Sequence, residues 1–226
     1  KRKMKVMITG ATGMVGKGVL LECLEQEWIT EVLSVPRRTL FMTHPKLKEL
    51  LHKDFSEFES VKEALAGYDA CYACMGVSAA GMKEADYTRL TYDFTLALAT
   101  VLFDLNPEMT FIYVSGLGTR SDGKGSMWAR VKGKTENDVL ALGFKQAFAF
   151  RPGAIIPVKG VSPSNTFYRV LINNLAWLLK LIRWVAPRSV VDSAQIGQAM
   201  INATKSGYDK VVIDPGDILQ LAARQA

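Results

Sequence analysis

Only three cysteines and two histidines occur in the 226 residues. That is too few, and too scattered, for a disulfide framework or a metal centre. Cys71 and Cys74 have C-x-x-C spacing but lie inside an apolar run, Ala70 to Met75. An odd separation along a strand sends the two thiols to opposite faces, so both read as small core residues. His44 and His52 lack neighbouring ligand types. No stretch approaches the ~18 uninterrupted apolar residues of a membrane span, which excludes integral membrane association. The basic residues Lys1, Arg2 and Lys3 lead into a strand rather than a secretory apolar region, and the expected compartment is the cytoplasm. Internal repeats and low-complexity linkers are missing. With 28 Lys and Arg against 22 Asp and Glu, the formal net charge is +6. Such a surplus suits nucleic acid, an anionic surface or a phosphorylated ligand. Neither dense basic run forms a helix face with interleaved aromatics, so nucleic acid is set aside.

What is present is ordinary globular composition, 49% apolar and 22% charged, in a length that suits one α/β domain over residues 1–226. Residues 4–155 form its core and 156–226 a small cap. Met4 to Thr9 reads as a buried strand that runs into Gly10, Thr12, Gly13, Met14, Val15 and Gly16 at the mouth of a helix, about Met14 to Gln26. A tight turn needs free φ at Gly10, a pyrophosphate must approach the backbone near Gly13, and Gly16 lets helix and strand pack closely. Free backbone N–H groups and the helix dipole then favour phosphate. The next strand, Glu31 to Val35, ends at Pro36-Arg37-Arg38. An NAD site carries an acid at this strand end, whereas guanidinium matches a 2′-phosphate, so NADP(H) is favoured over NAD(H). A solvated basic loop is the bland alternative.

The segment Thr9 to Gly16 matches the pattern T-G-A-T-G-x-x-G residue for residue, and the chain thereby resembles the extended and atypical short-chain dehydrogenase/reductases, especially the NmrA-like and Tat-interacting oxidoreductase-like branch. The resemblance implies a Rossmann-like doubly wound parallel sheet and a bound NAD or NADP. It is good over residues 4–155 and loose beyond. It implies that Asp54 and Phe55 border the adenine, that Cys74, Met75 and Gly76 back the cofactor ribose, and that Arg151 and Pro152 open the substrate loop beside the cofactor. It also implies that Ser115, at the end of the strand Thr110 to Val114, binds a substrate carbonyl.

The family places Tyr-x-x-x-Lys downstream, on one helix face, so that the ammonium lowers the phenol pKa for proton transfer. Here the segment is Trp128-Ala129-Arg130-Val131-Lys132: lysine is kept and tyrosine is replaced. An indole is no proton donor at neutral pH. Lys132 can still hold the nicotinamide ribose, and Tyr113, on the same strand face as Ser115, is the one nearby phenol that could substitute.

Between these motifs, Leu47 to His52 reads as strand or short helix, Ser56 as the cap of a helix through Val61 and Leu65, and about Lys83 to Leu105 as one long helix with Leu90, Phe94, Ala97 and Val101 buried. Ala147 to Phe150 is a further strand. Asn165 to about Val185 reads as a cap helix suited to closing the substrate cleft or meeting a second copy of the chain. Asp192 to Gln195 forms a capping box, Val211 to Ile213 a last strand, and Pro215 to Leu221 a closing helical turn. Two functions follow. One is an NADP(H)-dependent oxidoreductase, or an epimerase-like enzyme, acting on a small organic substrate. The other is a non-catalytic NADP(H)-sensing regulator. A nucleotide-independent scaffold has only the altered motif in its favour.

Overall fold

The computed structural model describes residues 3–161 and 189–224. Seven parallel strands form one sheet: β1 Met4–Thr9, β2 Ile29–Val35, β3 Leu47–Glu49, β4 Ala70–Ala73, β5 Thr110–Val114, β6 Gln146–Phe150 and β9 Val212–Ile213. Their order across it is β3-β2-β1-β4-β5-β6-β9. A separate parallel pair joins β7, Ala154–Ile156, to β8, Val190–Asp192. The chain order reverses between β1 and β4, which creates the crevice where ligands bind in open α/β sheets.

The central strands are apolar throughout because helices cover both faces. The α-helices are α1 Met14–Glu25, α2 Glu84–Thr88, α3 Phe94–Leu105, α4 Met127–Ala141, α5 Ser193–Ser206 and α6 Pro215–Ala222. One buried cluster joins Val19, Leu20, Ile196, Met200 and Ile218 to alternate sheet residues such as Val6, Ile8 and Tyr72. The other joins Leu98, Leu102 and Val139 to Met7, Phe111 and Tyr113. Cys74 belongs to the first cluster and Cys71 to the second, as strand alternation requires, and all three cysteines are free. Helices α1 and α5 pack very closely. A Cβ on Gly18 would stand 2.7 Å from the Cβ of Ser193, and one on Gly197 would stand 2.7 Å from the Cγ of Glu22.

Several expected boundaries move. β2 starts at Ile29, and β3 stops at Glu49, short of His52. The segment after Ser56 is a 3-10 helix, Glu59–Leu65, with Phe58 at its cap. The long helix is interrupted by a π turn, Arg89–Asp93. That turn inserts a residue into the helical repeat and rotates the remainder of the helix by about 100°. The buried stripe is Thr91, Thr95, Leu98 and Leu102, one position on at every step from the expected Leu90, Phe94, Ala97 and Val101, an offset already present at Thr91 inside the π turn. The Asp192 to Gln195 capping box is present, with both reciprocal bonds made. The expected cap helix Asn165 to Val185 lies outside the described residues.

Candidate functional site

At the crevice, Gly10 has φ +71°, and a Cβ there would lie 2.5 Å from the Cys74 carbonyl oxygen. A Cβ on Gly16 would lie 2.2 Å from the oxygen of Gly10. Both positions therefore require glycine, one to pack the turn against the end of β4 and one to let α1 begin under it. Gly13 N–H donates to the Gly10 carbonyl at 2.9 Å and Gly13 caps α1. Thr12 is exposed at the tip, with Met14 and Val15 half-buried behind it. The turn lies against the Cys74 carbonyl and the Met75 N–H, the latter 2.8 Å from where a Cβ on Gly10 would sit, and the exposed Gly76 follows them in the chain. Burial pushes the Cys74 thiol pKa up, which keeps it an inert wall. A loop of this form fits a dinucleotide phosphate, because side chains are excluded where the backbone must come close.

Arg37 and Arg38 are both exposed at the end of β2. Among the described residues neither guanidinium has an acidic partner, while the loop after them is pinned. Thr39 Oγ1 and Leu40 N–H both donate to the Glu49 carboxylate at 2.8 Å. Asp54 is exposed, and its carboxylate accepts from Ser56 N–H at 2.9 Å and from the Ser56 hydroxyl, which hold its pKa below the usual range. Phe55, expected beside the adenine, is instead buried among His52, Phe58 and Phe94. Its phenyl ring is spent on the core because burial of an aromatic outweighs an exposed edge contact.

Across the crevice, Ser115 follows β5 and is tied to β6 by its N–H, which donates to the Phe150 carbonyl at 2.7 Å. Its hydroxyl is 2.9 Å from that of Thr119, a buried partner that no motif announces. Lys132, on α4, donates from Nζ to the Ser115 carbonyl at 3.0 Å. Burial pushes its pKa down to about 8, against the opposing pull of the Glu136 carboxylate. One turn earlier, Trp128 is half-exposed and its Cη2 lies 3.2 Å from the point where a Cβ on Gly118 would sit. The indole thus covers the loop after β5, where Leu117 is half-exposed and pinned by its N–H to the Pro152 carbonyl at 3.0 Å.

Tyr113 does face the Ser115 side, since Lys132 Nζ stands 5.9 Å from its ring centroid. It is nonetheless sealed in the core at 1% exposure. Among the described residues its hydroxyl is left without a well-formed hydrogen bond, the Thr135 hydroxyl beside it donating to the Val131 carbonyl. Burial pushes the phenol pKa up, so it has neither a path nor a driving force for proton exchange with a substrate.

Arg151 also differs from expectation. Its Nε donates to the Glu136 carboxylate at 2.9 Å and its NH2 to Ser121 Oγ at 2.8 Å, and Glu136 is 1% exposed. A guanidinium held this way by a buried carboxylate is a brace between β6 and α4, with Nε and NH2 engaged by Glu136 and Ser121. The brace continues at Gly133, where a Cβ would stand 2.1 Å from the Arg120 carbonyl oxygen, so the segment 119–121 lies directly on α4. A carboxylate one turn after Lys132 was the available sequence signal for this pair, but its partner, 15 residues away, is set only by the sheet. No group of His, Cys, Asp and Glu suited to a metal occurs among the described residues.

A model of the NAD dependent epimerase/dehydratase family matches residues 6–127, more than half of the chain. Among known proteins, the chain is similar to "Protein FMP52-1, mitochondrial" of Scheffersomyces stipitis, 25% identical over 213 residues that cover 92% of this chain and 91% of that one. It is also similar to Protein HTATIP2 of Rattus norvegicus, 27% identical over 155 residues, 67% of this chain and 62% of that one. Of solved structures, the Bordetella bronchiseptica enzyme WbmF in complex with NAD+ superposes with a TM-score of 0.69 at 12% identity, covering 97% of this chain and 77% of that one. The Helicobacter pylori ADP-L-glycero-D-manno-heptose-6-epimerase gives 0.66 at 14%, covering 98% and 81%. These two share the Rossmann-like fold. The fungal relatives correct one expectation: they are named mitochondrial, which overturns the cytoplasmic reading. The absence of an apolar leader bears on secretion alone and is silent on a mitochondrial address.

Proposed function

The chain belongs to the NAD dependent epimerase/dehydratase family, an NAD(P)-binding family, and from that premise we propose that it binds NADP(H) in preference to NAD(H) and transfers hydride to or from a small organic substrate at Ser115 and Lys132. The observation that carries the cofactor preference is the pair Arg37 and Arg38, exposed at the end of β2 beside the glycine turn, with no carboxylate among the described residues to neutralise them. A 2′-phosphate satisfies them as a hydroxyl cannot. The observation that carries the reaction side is Lys132 Nζ at 3.0 Å from the Ser115 carbonyl, at the carboxyl end of a strand neighbouring β4. The bound nicotinamide supplies the hydride chemistry. Within this chain, the glycine turn receives the phosphates, Lys132 orients the ribose side, and Trp128 with Leu117 forms the apolar wall against which a substrate is packed away from water.

Trp128 supports a second reading, a regulator that senses NADP(H) without turnover, because an indole occupies the position of the usual phenol. Titration of nucleotide-free protein with NADPH and NADH, followed by binding heat, tests the shared premise. NADPH is expected to bind tighter by about 10- to 100-fold, the value of charge-assisted phosphate contacts, and R37A should erase most of that ratio. Equal affinities would defeat the NADP(H) preference. NADPH consumption with aldehydes, ketones or quinones then separates enzyme from sensor.

A further inference from the structure

We infer that Lys132 is itself the proton donor of this site, taking the part that a tyrosine phenol plays in the short-chain family. The inference rests on the hydride-transfer reading above. Among the described residues, the candidates for a proton donor near Ser115 are few. The Tyr113 hydroxyl is enclosed in the core, and Tyr87, on the helix packed beside it, is 1% exposed. The Glu136 carboxylate is consumed by Arg151. His52 follows β3 at the edge of the sheet, its Nε2 at 2.7 Å from the Glu57 carbonyl, and His44 is in the loop before β3, where its Nδ1 accepts from Lys46 N–H. The Ser115 and Thr119 hydroxyls are bonded to each other and can only relay a proton.

That leaves the ammonium of Lys132. It lies on the face of α4 that carries Trp128 four residues earlier, and one of its three protons is spent on the Ser115 carbonyl at 3.0 Å, so two remain. The titratable and charged groups around it are Glu136 on its own helix, Arg151 from the end of β6 holding that carboxylate, Tyr113 from β5, and Tyr87 from α2 behind Tyr113. Of these Glu136 is the charged group that favours the ammonium, and burial outweighs it, so the amine gives up a proton near neutral pH. In the forward direction, the carbonyl carbon of a substrate gains a C–H bond with the electron pair of the hydride from a reduced nicotinamide. The C=O π pair moves to oxygen, which takes a proton from Nζ. The neutral amine regains its proton from solvent, and the products are an alcohol and the oxidised nicotinamide.

The test compares an aldehyde, 4-nitrobenzaldehyde, with a quinone, 9,10-phenanthrenequinone. Hydride addition to the quinone yields a stable hydroquinone anion that needs no acid, whereas the aldehyde needs one. NADPH-dependent turnover of wild type, K132R, W128Y and Y168F is measured from pH 6 to 10. Tyr168 is included because it is a phenol outside the described residues. Wild-type aldehyde reduction is expected to fall tenfold per pH unit above about 8. K132R should lose at least 100-fold on the aldehyde and under tenfold on the quinone, and W128Y should gain at least tenfold on the aldehyde. A readout independent of turnover is NMR of protein reductively methylated with carbon-13, in which the resonance missing from K132R should titrate about two pH units below the surface lysines. A Lys132 resonance that titrates with the surface lysines, an aldehyde profile flat to pH 10 while W128Y is active, equal losses on both substrates, or abolition by Y168F would each overturn the inference. Inactivity of both wild type and W128Y on every substrate would overturn the hydride-transfer reading itself.

Discussion

Replacing Glu136 by Gln removes one charge from an ion pair whose other half cannot follow it into solvent. Glu136 is 1% exposed and the Arg151 side chain 17%. Breaking a buried pair by removing one partner costs about 3–5 kcal/mol, because an uncompensated charge is left behind. Glutamine keeps one acceptor oxygen, which can serve Arg151 Nε while its amide N–H donates to the Ser121 hydroxyl, so the expected loss is smaller, about 2–3 kcal/mol. For a chain of this size each kcal/mol moves the midpoint by about 2–4 °C, so E136Q should unfold roughly 4–12 °C below wild type. Thermal unfolding by circular dichroism reads the midpoint, and urea unfolding reads the free energy. The paired replacement E136M/R151M, which removes both charges and fills the space with methylenes, should lose less than E136Q alone. A drop under about 2 °C for E136Q, or a paired variant worse than the single one, would refute the view that this pair braces α4 to β6.

Gly16→Ala places a methyl group 2.2 Å from the Gly10 carbonyl oxygen, a backbone atom that cannot move aside, so NADPH binding measured by calorimetry should be lost or fall by more than 100-fold; near wild-type affinity would show that the turn is not the phosphate site. Tyr113→Phe removes a hydroxyl left without a well-formed hydrogen bond among the described residues, and stability should change by less than about 1 kcal/mol with turnover intact; a tenfold loss of kcat would reinstate Tyr113 as the acid. Asp217, at the start of α6, is buried, which raises its pKa, but hydrogen bonds from Lys210 and Tyr208 outweigh that and leave it lowered overall. A carboxylate depressed on folding contributes stability that is present above its unfolded value and lost as pH falls through the folded one, so the thermal midpoint of wild type should decline below about pH 4 more steeply than that of D217N, and parallel acid limbs would show that Asp217 carries none of this stability.

The glycine turn, the strand ends and the parallel sheet were legible because each is written locally, as an apolar run followed by small residues or as a cap followed by a helical period. The residues that obey local rules, among them Gly10, Gly16, Asp192 and the two cysteines of β4 and its end, stand where local reasoning puts them. Tyr113 shows where that reasoning stops. Strand alternation gives its face correctly, yet says nothing of whether that face opens on the crevice or, as here, on Leu98 and Val139. The π turn at Arg89–Asp93 has no local signature either. The buried stripe through it and α3 lies one position on from the one that periodicity alone gives.

Local sequence alone specifies the βα phosphate turn, the basic end of β2 and the loss of the phenol at Trp128, since each depends on residues within one turn or one strand of each other. Which groups serve the site and which serve the scaffold is settled only in three dimensions. Arg151 meets Glu136 across 15 residues, Tyr72 reaches Thr204 across 132, and Lys132 finds the Ser115 carbonyl across 17. Contacts of that separation exist only once the sheet has set the register of its strands and the helices have closed on it, and burial, which sets the proton affinity of each group, comes from the same closure.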